Sequence, residues 1–375
     1  MPGAVGSRMK PPLGPELLAL LHASAEKAAA AGEPDREALS ALRASGLLAT
    51  AVPRAHGGAG GDAAEINRVV ADIAAADASV AIIAFQHFAV SARIAEWGTE
   101  EQRHRLLPPM ADGSVLAASA WSENGSGAAK QNLASTGTRR ADGRWLLRGS
   151  KTFTTGAAVA DLYLVLVTTG APGPAVRAAY GAAGQTFFLV GADNPGLVPD
   201  LGLDLAGMRG SATGLLALDG CVVGDEDRLG PEGHAASIIA GVRESGATLG
   251  AVSAGIAQAA FDLAVTHARS RGLLEMATVR HRLTGLATRL ETVRAVVERA
   301  GARTAADPGL ATLHSKLHAT AAAEEICLDV ARMLGSAGYR DGGAAGRLLA
   351  DARGVGLMGP TNDLCRELVA LQWTP

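Results

Sequence analysis

The spacing of apolar residues along this chain changes twice, and that double change limits the architectures open to it. From Pro15 to about Asp112 apolar side chains recur at helical steps, with Leu17, Leu20 and Leu21 on one face and Leu39 and Leu42 repeating the pattern before Gly46. From about Gly113 to Gly230 the period falls towards two, in short Val, Thr and Leu runs such as Leu162 to Val167 and Thr186 to Val190. Helical spacing then returns through Leu249, Val252, Ile256, Ala259 and Leu263, through Leu283, Leu286, Leu290, Val293 and Val297, and through Leu313, Leu317, Ile326, Val330 and Met333. The pattern predicts a mostly α chain with a central β domain: helices over 1–113, a β domain over 114–230 and a helical bundle over 231–375. A length of 375 residues suits two or three domains. With 48% hydrophobic but only 3% aromatic residues, the interior must be built from Ala, Leu and Val, which favours closely packed helices.

Local signals punctuate these blocks. Ala51 to Gly61 (AVPRAHGGAGG) reads as a loop, and Thr99 to Gln102 as a capping box opening a helix. Turns are predicted at Asp142-Gly143, at Ala171 to Pro174 and at Asn194-Pro195-Gly196, with 171–184 an exposed loop. A net charge of −3 gives no reason to expect nucleic acid. Cys221, Cys327 and Cys365 lack the spacing of a zinc site or a disulfide framework. The first residues, MPGAVGSRMKPPLG, lack a secretory apolar segment and read as a loose N-terminus, and no apolar run is long enough to suggest a membrane span. The expectation is a soluble, cytoplasmic protein.

The chemistry concentrates in Leu116 to Thr169. Ser122-Glu123-Asn124-Gly125-Ser126-Gly127 is a hydroxyl and a carboxylate followed by a flexible turn, able to present N–H groups to an electron-rich ring or a phosphate. About thirty residues on, Phe153, Thr154 and Thr155 add an aromatic and two hydroxyls. Gly149-Ser150-Lys151-Thr152 lacks the earlier glycine of a P-loop, which argues against nucleotide hydrolysis. His281, His314 and His318 share no metal-binding spacing with acidic residues.

In order and spacing these motifs resemble the acyl-CoA dehydrogenase family, nearly collinearly from about residue 35 to the end. The resemblance implies an N-terminal helical domain, a β-barrel-like middle domain and a C-terminal four-helix bundle that mediates dimer or tetramer formation. It implies FAD rather than FMN, and removal of α and β hydrogens from an acyl thioester of CoA or of a carrier protein, with hydride passing to flavin N5 and electrons to a further partner. Ser122 stands for the family's Thr and Glu123 for its Glu, while Asn124 replaces Pro and Ala128 and Ala129 replace a Ser-Asp pair. Phe153 takes the place of the aromatic against the flavin, Thr154 and Thr155 lie by its N5 and O4 edge, and Trp121 lies near the ring. Leu205 to Ser211 and Asp227 to Gly230 match the exit from the middle domain. Arg271 matches a residue that reaches the adenosine end of a neighbouring subunit's FAD, although Leu274 and Glu275 replace the usual Phe and Gly. Arg332 occupies a usual Gln position ahead of Gly335 and Gly338. Thr361 matches the Thr of the family's Glu-Gly-Thr turn.

The Glu of that turn is the usual base, and here Gly359 occupies its place. Glycine cannot take a proton, although its N–H can still bind a thioester carbonyl. Three readings follow from the resemblance. Glu244 is a substitute base on the preceding helix, where the alignment falls on Ser245 or, shifted by one, Glu244; it also reads as a solvated residue beside Arg243. Alternatively, the chain is a non-catalytic subunit of a hetero-oligomer, consistent with Gly359, Leu274 and Arg332. Or it is a flavin-dependent monooxygenase with His87 facing the flavin, a residue that equally reads as a packed histidine.

Overall fold

The computed structural model describes residues 13–125, 132–170, 181–340 and 342–373. The N-terminal residues MPGAVGSRMKPP, the Ser126-Gly127 half of the glycine turn with Ala128 and Ala129, and the turn at Ala171 to Pro174 lie outside them. The described elements follow the double change of period: helices, then strands, then helices.

The first block holds α1 (Pro15–Ala31), α2 (Arg36–Ala44), α3 (Ala63–Ala76), α4 (Ala78–Trp97) and α5 (Glu100–Ala111). Asp77 separates α3 from α4 and caps the second of them, its carboxylate accepting from Ser79 N and Val80 N. The capping box expected at α5 is formed, Thr99 and Gln102 each accepting the other's backbone N–H. Gln102 also reaches the sheet, donating through Nε2 to the carbonyls of Glu226 (2.7 Å) and Arg228 (3.0 Å). By length and composition α4 could cross a membrane, contrary to the expectation from the sequence. Its 20 residues are mostly buried, and their uniform apolarity is that of a core helix.

The middle block is an eight-stranded sheet of β1 (Ala117–Ala120), β2 (Thr136–Arg139), β3 (Trp145–Thr154), β4 (Leu162–Thr168), β5 (Gln185–Gly191), β6 (Leu197–Asp200), β7 (Gly214–Val223) and β8 (Arg228–Leu229). The order is β6-β7-β3-β2-β4-β5-β8, with β1 added parallel to β4. The hairpin turn at Asp142-Gly143 joins β2 to β3, Gly143 supplying a φ of +83°. Strand β4 feeds two cores in alternation. Leu162, Leu164 and Leu166 pack with Val90, Ile94 and Leu107 of the helices, while Tyr163, Val165 and Val167 pack with Trp145, Phe188 and Leu216 inside the sheet. Burial of both faces explains why this stretch is a continuous apolar run.

The last block holds α6 (Ala235–Glu244), α7 (Gly250–Ser270), α8 (Ala277–Ala302), α9 (Pro308–Met333), α10 (Ala344–Leu357) and α11 (Asn362–Ala370). Helices α7 to α10 pack as a bundle, and α3 of the first block lies against α7 and α8. The approach of α3 to α7 depends on Gly255, where an added Cβ would sit 2.3 Å from Ala71 O. Leu286, Leu290 and Val293 of α8, Ile256 of α7 and Ile326 of α9 share one buried core with Val70 and Ile73 of α3. All three cysteines are free and buried.

Candidate active site

The two halves of the central motif meet. Strand β1 delivers Trp121 to Glu123 beside the end of β3, and Ser122 O accepts the N–H of Thr152 at 2.9 Å. Glu123 binds the chain at Ala134 and Ser135 and at Lys151 of β3. Its carboxylate accepts from Ala134 N (2.6 Å), Ser135 N (3.2 Å) and Lys151 Nζ (2.5 Å), and Glu123 and Lys151 are both buried. Burial alone would raise the Glu123 carboxyl, but the Lys151 charge and the converging donors outweigh it and hold it below the ordinary value. Burial pushes the Lys151 ammonium down to about 8 against the opposite pull of Glu123. The pair was not foreseen. Its only signal in the sequence was a lysine within a strand, a residue that needs a counter-charge if it faces inward.

At the end of β3 the chain makes an irregular step against β7, between the pairings of Lys151 with Leu216 and Thr154 with Gly214. There Phe153 has a φ of +50°, unusual for a bulky residue, and its ring is 63% exposed. Thr154 is buried with its hydroxyl unpartnered, and Trp121, tilted against Phe187 at 5.1 Å, holds an unpartnered buried indole N–H. Thr155 joins a hydroxyl chain, with Thr213 Oγ1 3.2 Å away and Ser211 Oγ 2.8 Å beyond that. An exposed aromatic held in a strained backbone, beside hydroxyl-bearing residues and unpaired polar atoms, fits a flat, polar-edged ring such as a flavin.

Gly359 and Thr361 lie in the turn between α10 and α11. Thr361 caps α11, its hydroxyl accepting from Leu364 N at 3.3 Å. Lys316 of α9 is buried under the turn and donates to Met358 O (3.0 Å), to Pro360 O and to Asn362 Oδ1 (3.4 Å). Arg271, Arg332 and Gly335 are exposed where α7 and α9 end. Sixteen helical steps separate Lys316 from Arg332, roughly 24 Å along α9. Within one chain, therefore, the arginines and the Gly359 turn occupy opposite ends of the bundle.

A cavity of about 180 Å³ opens between α3, α4 and the end of α6, lined by Ile66, Phe85, Phe88, Arg93, Val242 and Ser245 among others. Ser245 lines it; Glu244 does not. Glu244 is exposed and sits over Gly309 at the start of α9, so one step along the helix takes its carboxylate off the cavity wall. His87 is corrected also. It has no exposed surface, and its Nδ1 accepts the N–H of Ala117 at 3.2 Å, so it ties α4 to β1 and cannot touch a bound ring.

Burial pulls the His87 imidazole down to about 4, so it is neutral in the fold. With a folded value below that of the free side chain, its contribution to stability is complete above about pH 6.5 and is lost as the pH falls through 4. Replacement by glutamine, which keeps an acceptor and cannot ionise, should remove on the order of 3 kcal/mol of acid sensitivity in this window. Asp351, which burial raises to about 6, runs the other way over the same range, so the readable quantity is the difference between wild type and His87→Gln in denaturant titrations. Parallel pH profiles for the two proteins would refute the assignment.

The chain matches three models in succession: the acyl-CoA dehydrogenase N-terminal domain over residues 19–114, the middle domain over 118–221 and the C-terminal domain over 236–373. It is 30% identical over 334 residues to an acyl-CoA dehydrogenase of Bacillus subtilis, covering 87% of this chain and 86% of that one. It is 28% identical over 338 residues to an L-prolyl-[peptidyl-carrier protein] dehydrogenase of Pseudomonas fluorescens, covering 87% of each. Among solved structures, the butyryl-CoA dehydrogenase of Megasphaera elsdenii superposes with a TM-score of 0.85 at 24% identity, over 97% of this chain and all of that one.

Proposed function

The chain belongs to the acyl-CoA dehydrogenase family, and from that premise we propose that it binds FAD against Phe153 and oxidises an acyl thioester, carried by CoA or by a carrier protein, at its α and β carbons. The observation that carries this reading is the exposed Phe153 at the end of β3, held beside Ser122 and Thr155 by the Glu123–Lys151 anchor. Bound flavin would supply the hydride acceptor. The residues of this chain do the rest: Phe153 and Trp121 shape the ring's bed, Ser122, Thr154 and Thr155 offer hydroxyls to its polar edge, and the cavity beside Ser245 shields the acyl group from water. Arg271, Arg332 and Gly335, at the far end of the bundle, suit the adenosine end of a flavin bound mainly by a second copy. That separation supports FAD over FMN and a homo-oligomer over a monomer. Three free, buried cysteines suit a reducing compartment such as the cytoplasm. We propose a partner protein as the electron acceptor.

The test is the visible spectrum of the purified protein, followed by anaerobic addition of acyl thioesters. A yellow protein that bleaches is the expected result; a colourless one that takes up no added FAD would remove the reading. Phe153→Ala should weaken flavin binding by roughly tenfold or more, as the loss of one buried aromatic contact predicts. A second reading, a flavin-binding subunit that does not itself remove the proton, draws on the lack of a carboxylate among the described residues lining the cavity. Bleaching of the chain on its own would exclude it. The oxygen-dependent reading gains nothing from the structure, because its histidine is buried.

A further inference from the structure

Among the described residues the lining of the cavity is apolar except at two. Ser245 already uses its hydroxyl, donating to Val242 O at 2.8 Å. The other is Arg93 of α4, whose side chain is 6% exposed. A cation at this depth requires a counter-charge, and the one that the structure supplies is Glu96, with Oε2 2.8 Å from Nη1. Glu96 is 47% exposed, so water takes much of its field. One carboxylate reached through one nitrogen also leaves most of a five-donor guanidinium to be met from elsewhere. On the α6 side the space for the group is kept by Gly241, where an added Cβ would lie 3.1 Å from Nη1.

We propose that Arg93 selects an acyl group whose far end carries an oxygen acceptor, a terminal carboxylate above all. This rests on the reading that the cavity receives the acyl chain, and it names the class of chain. A purely hydrocarbon acyl group fills the space but displaces water from the guanidinium without replacing its hydrogen bonds, which costs affinity. A carboxylate accepts from the fork at two oxygens and supplies the missing charge. A site that must satisfy a buried polar group discriminates strongly against the analogue that lacks the partner. A terminal ammonium is excluded by charge.

The experiment is calorimetric binding of four pantetheine thioesters, butyryl, ω-hydroxybutyryl, ω-carboxybutyryl and ω-aminobutyryl, to the flavin-loaded full chain. Pantetheine is common to CoA and carrier proteins, so the result does not depend on which of them is the natural carrier. The ω-carboxy compound should bind roughly 10- to 100-fold tighter than butyryl, the ω-hydroxy compound between them and the ω-amino compound weakest. Arg93→Met should bring all four to within a few-fold of one another. Glu96→Gln keeps the guanidinium and removes its competitor, so it should widen the preference for the carboxylate; that variant decides the matter should Arg93→Met fail to fold. Equal affinities for the four in wild type, or a preference for the carboxylate that fails to widen in Glu96→Gln, would overturn the role of Arg93 while leaving the oxidoreductase reading intact. Failure of all four to bind would overturn both.

Discussion

Gly359→Glu is expected to accelerate anaerobic flavin reduction by an acyl thioester roughly 100- to 10,000-fold, the usual worth of a positioned general base. The reaction needs a group to take the α proton as the β hydrogen leaves, and position 359 is where the resemblance places that group. The turn is built to hold a side chain still. Lys316 fixes its backbone from below through Met358 O and Pro360 O, Thr361 caps the helix that follows, and Asn362 Nδ2 donates to Thr320 Oγ1 at 2.9 Å. Gly359 itself is exposed. A carboxylate introduced there would inherit an ordered backbone, and order is what turns a nearby base into an effective one. Stopped-flow bleaching at saturating thioester checks this, with Glu244→Gln in parallel. A Gly359→Glu protein that holds flavin and reacts no faster than wild type would show that this turn does not face the reacting carbon. If Glu244→Gln alone abolished turnover, the base would be Glu244, moved in from its exposed site over Gly309.

What could be read from the sequence follows from which forces are local. Helix and strand blocks were legible because their apolar periods are set within a few residues, as were the Thr99–Gln102 box and the turn at Asp142-Gly143. Ser122 and Phe153 could be named because their residue types and spacing mark the family. The contacts that bring them together could not, because Ser122 O meets Thr152 N only once β1 has paired with β4 and β3 with β7. Lys316 gave no sign of its role: a lysine in the middle of a helix reads as solvated, and only the return of α10 along α9 buries it beneath a turn more than forty residues away. Glu244 shows the reverse failure. Alignment could not choose between it and Ser245, and a difference of one residue on a helix is about 100° of rotation, the difference between cavity wall and solvent.

Lys151→Met should lower stability by about 3–5 kcal/mol and abolish tight flavin binding together. The side chain it removes has no exposed surface, and the buried carboxylate of Glu123 would lose the ammonium that lies 2.5 Å from its Oε1. Taking a proton would relieve Glu123 only in part, because the N–H donors of Ala134 and Ser135 favour its ionised form. The loss should therefore loosen the contact of Thr152 N with Ser122 O and the end of β3 that carries Phe153. Pairing the substitution with Glu123→Leu should restore only part of the loss: the charges are gone, but the N–H groups of Ala134 and Ser135 remain buried and unmet, at about 1–3 kcal/mol each. Glu123→Gln beside an intact Lys151 should fall between, since the amide still accepts from the loop while the ammonium is left without its anion. Denaturant midpoints and FAD titrations on the same four proteins separate these cases. If Lys151→Met unfolded at the wild-type midpoint and kept its flavin, the ion pair would not be what holds the loop, and the burden would fall on the two N–H contacts to Glu123.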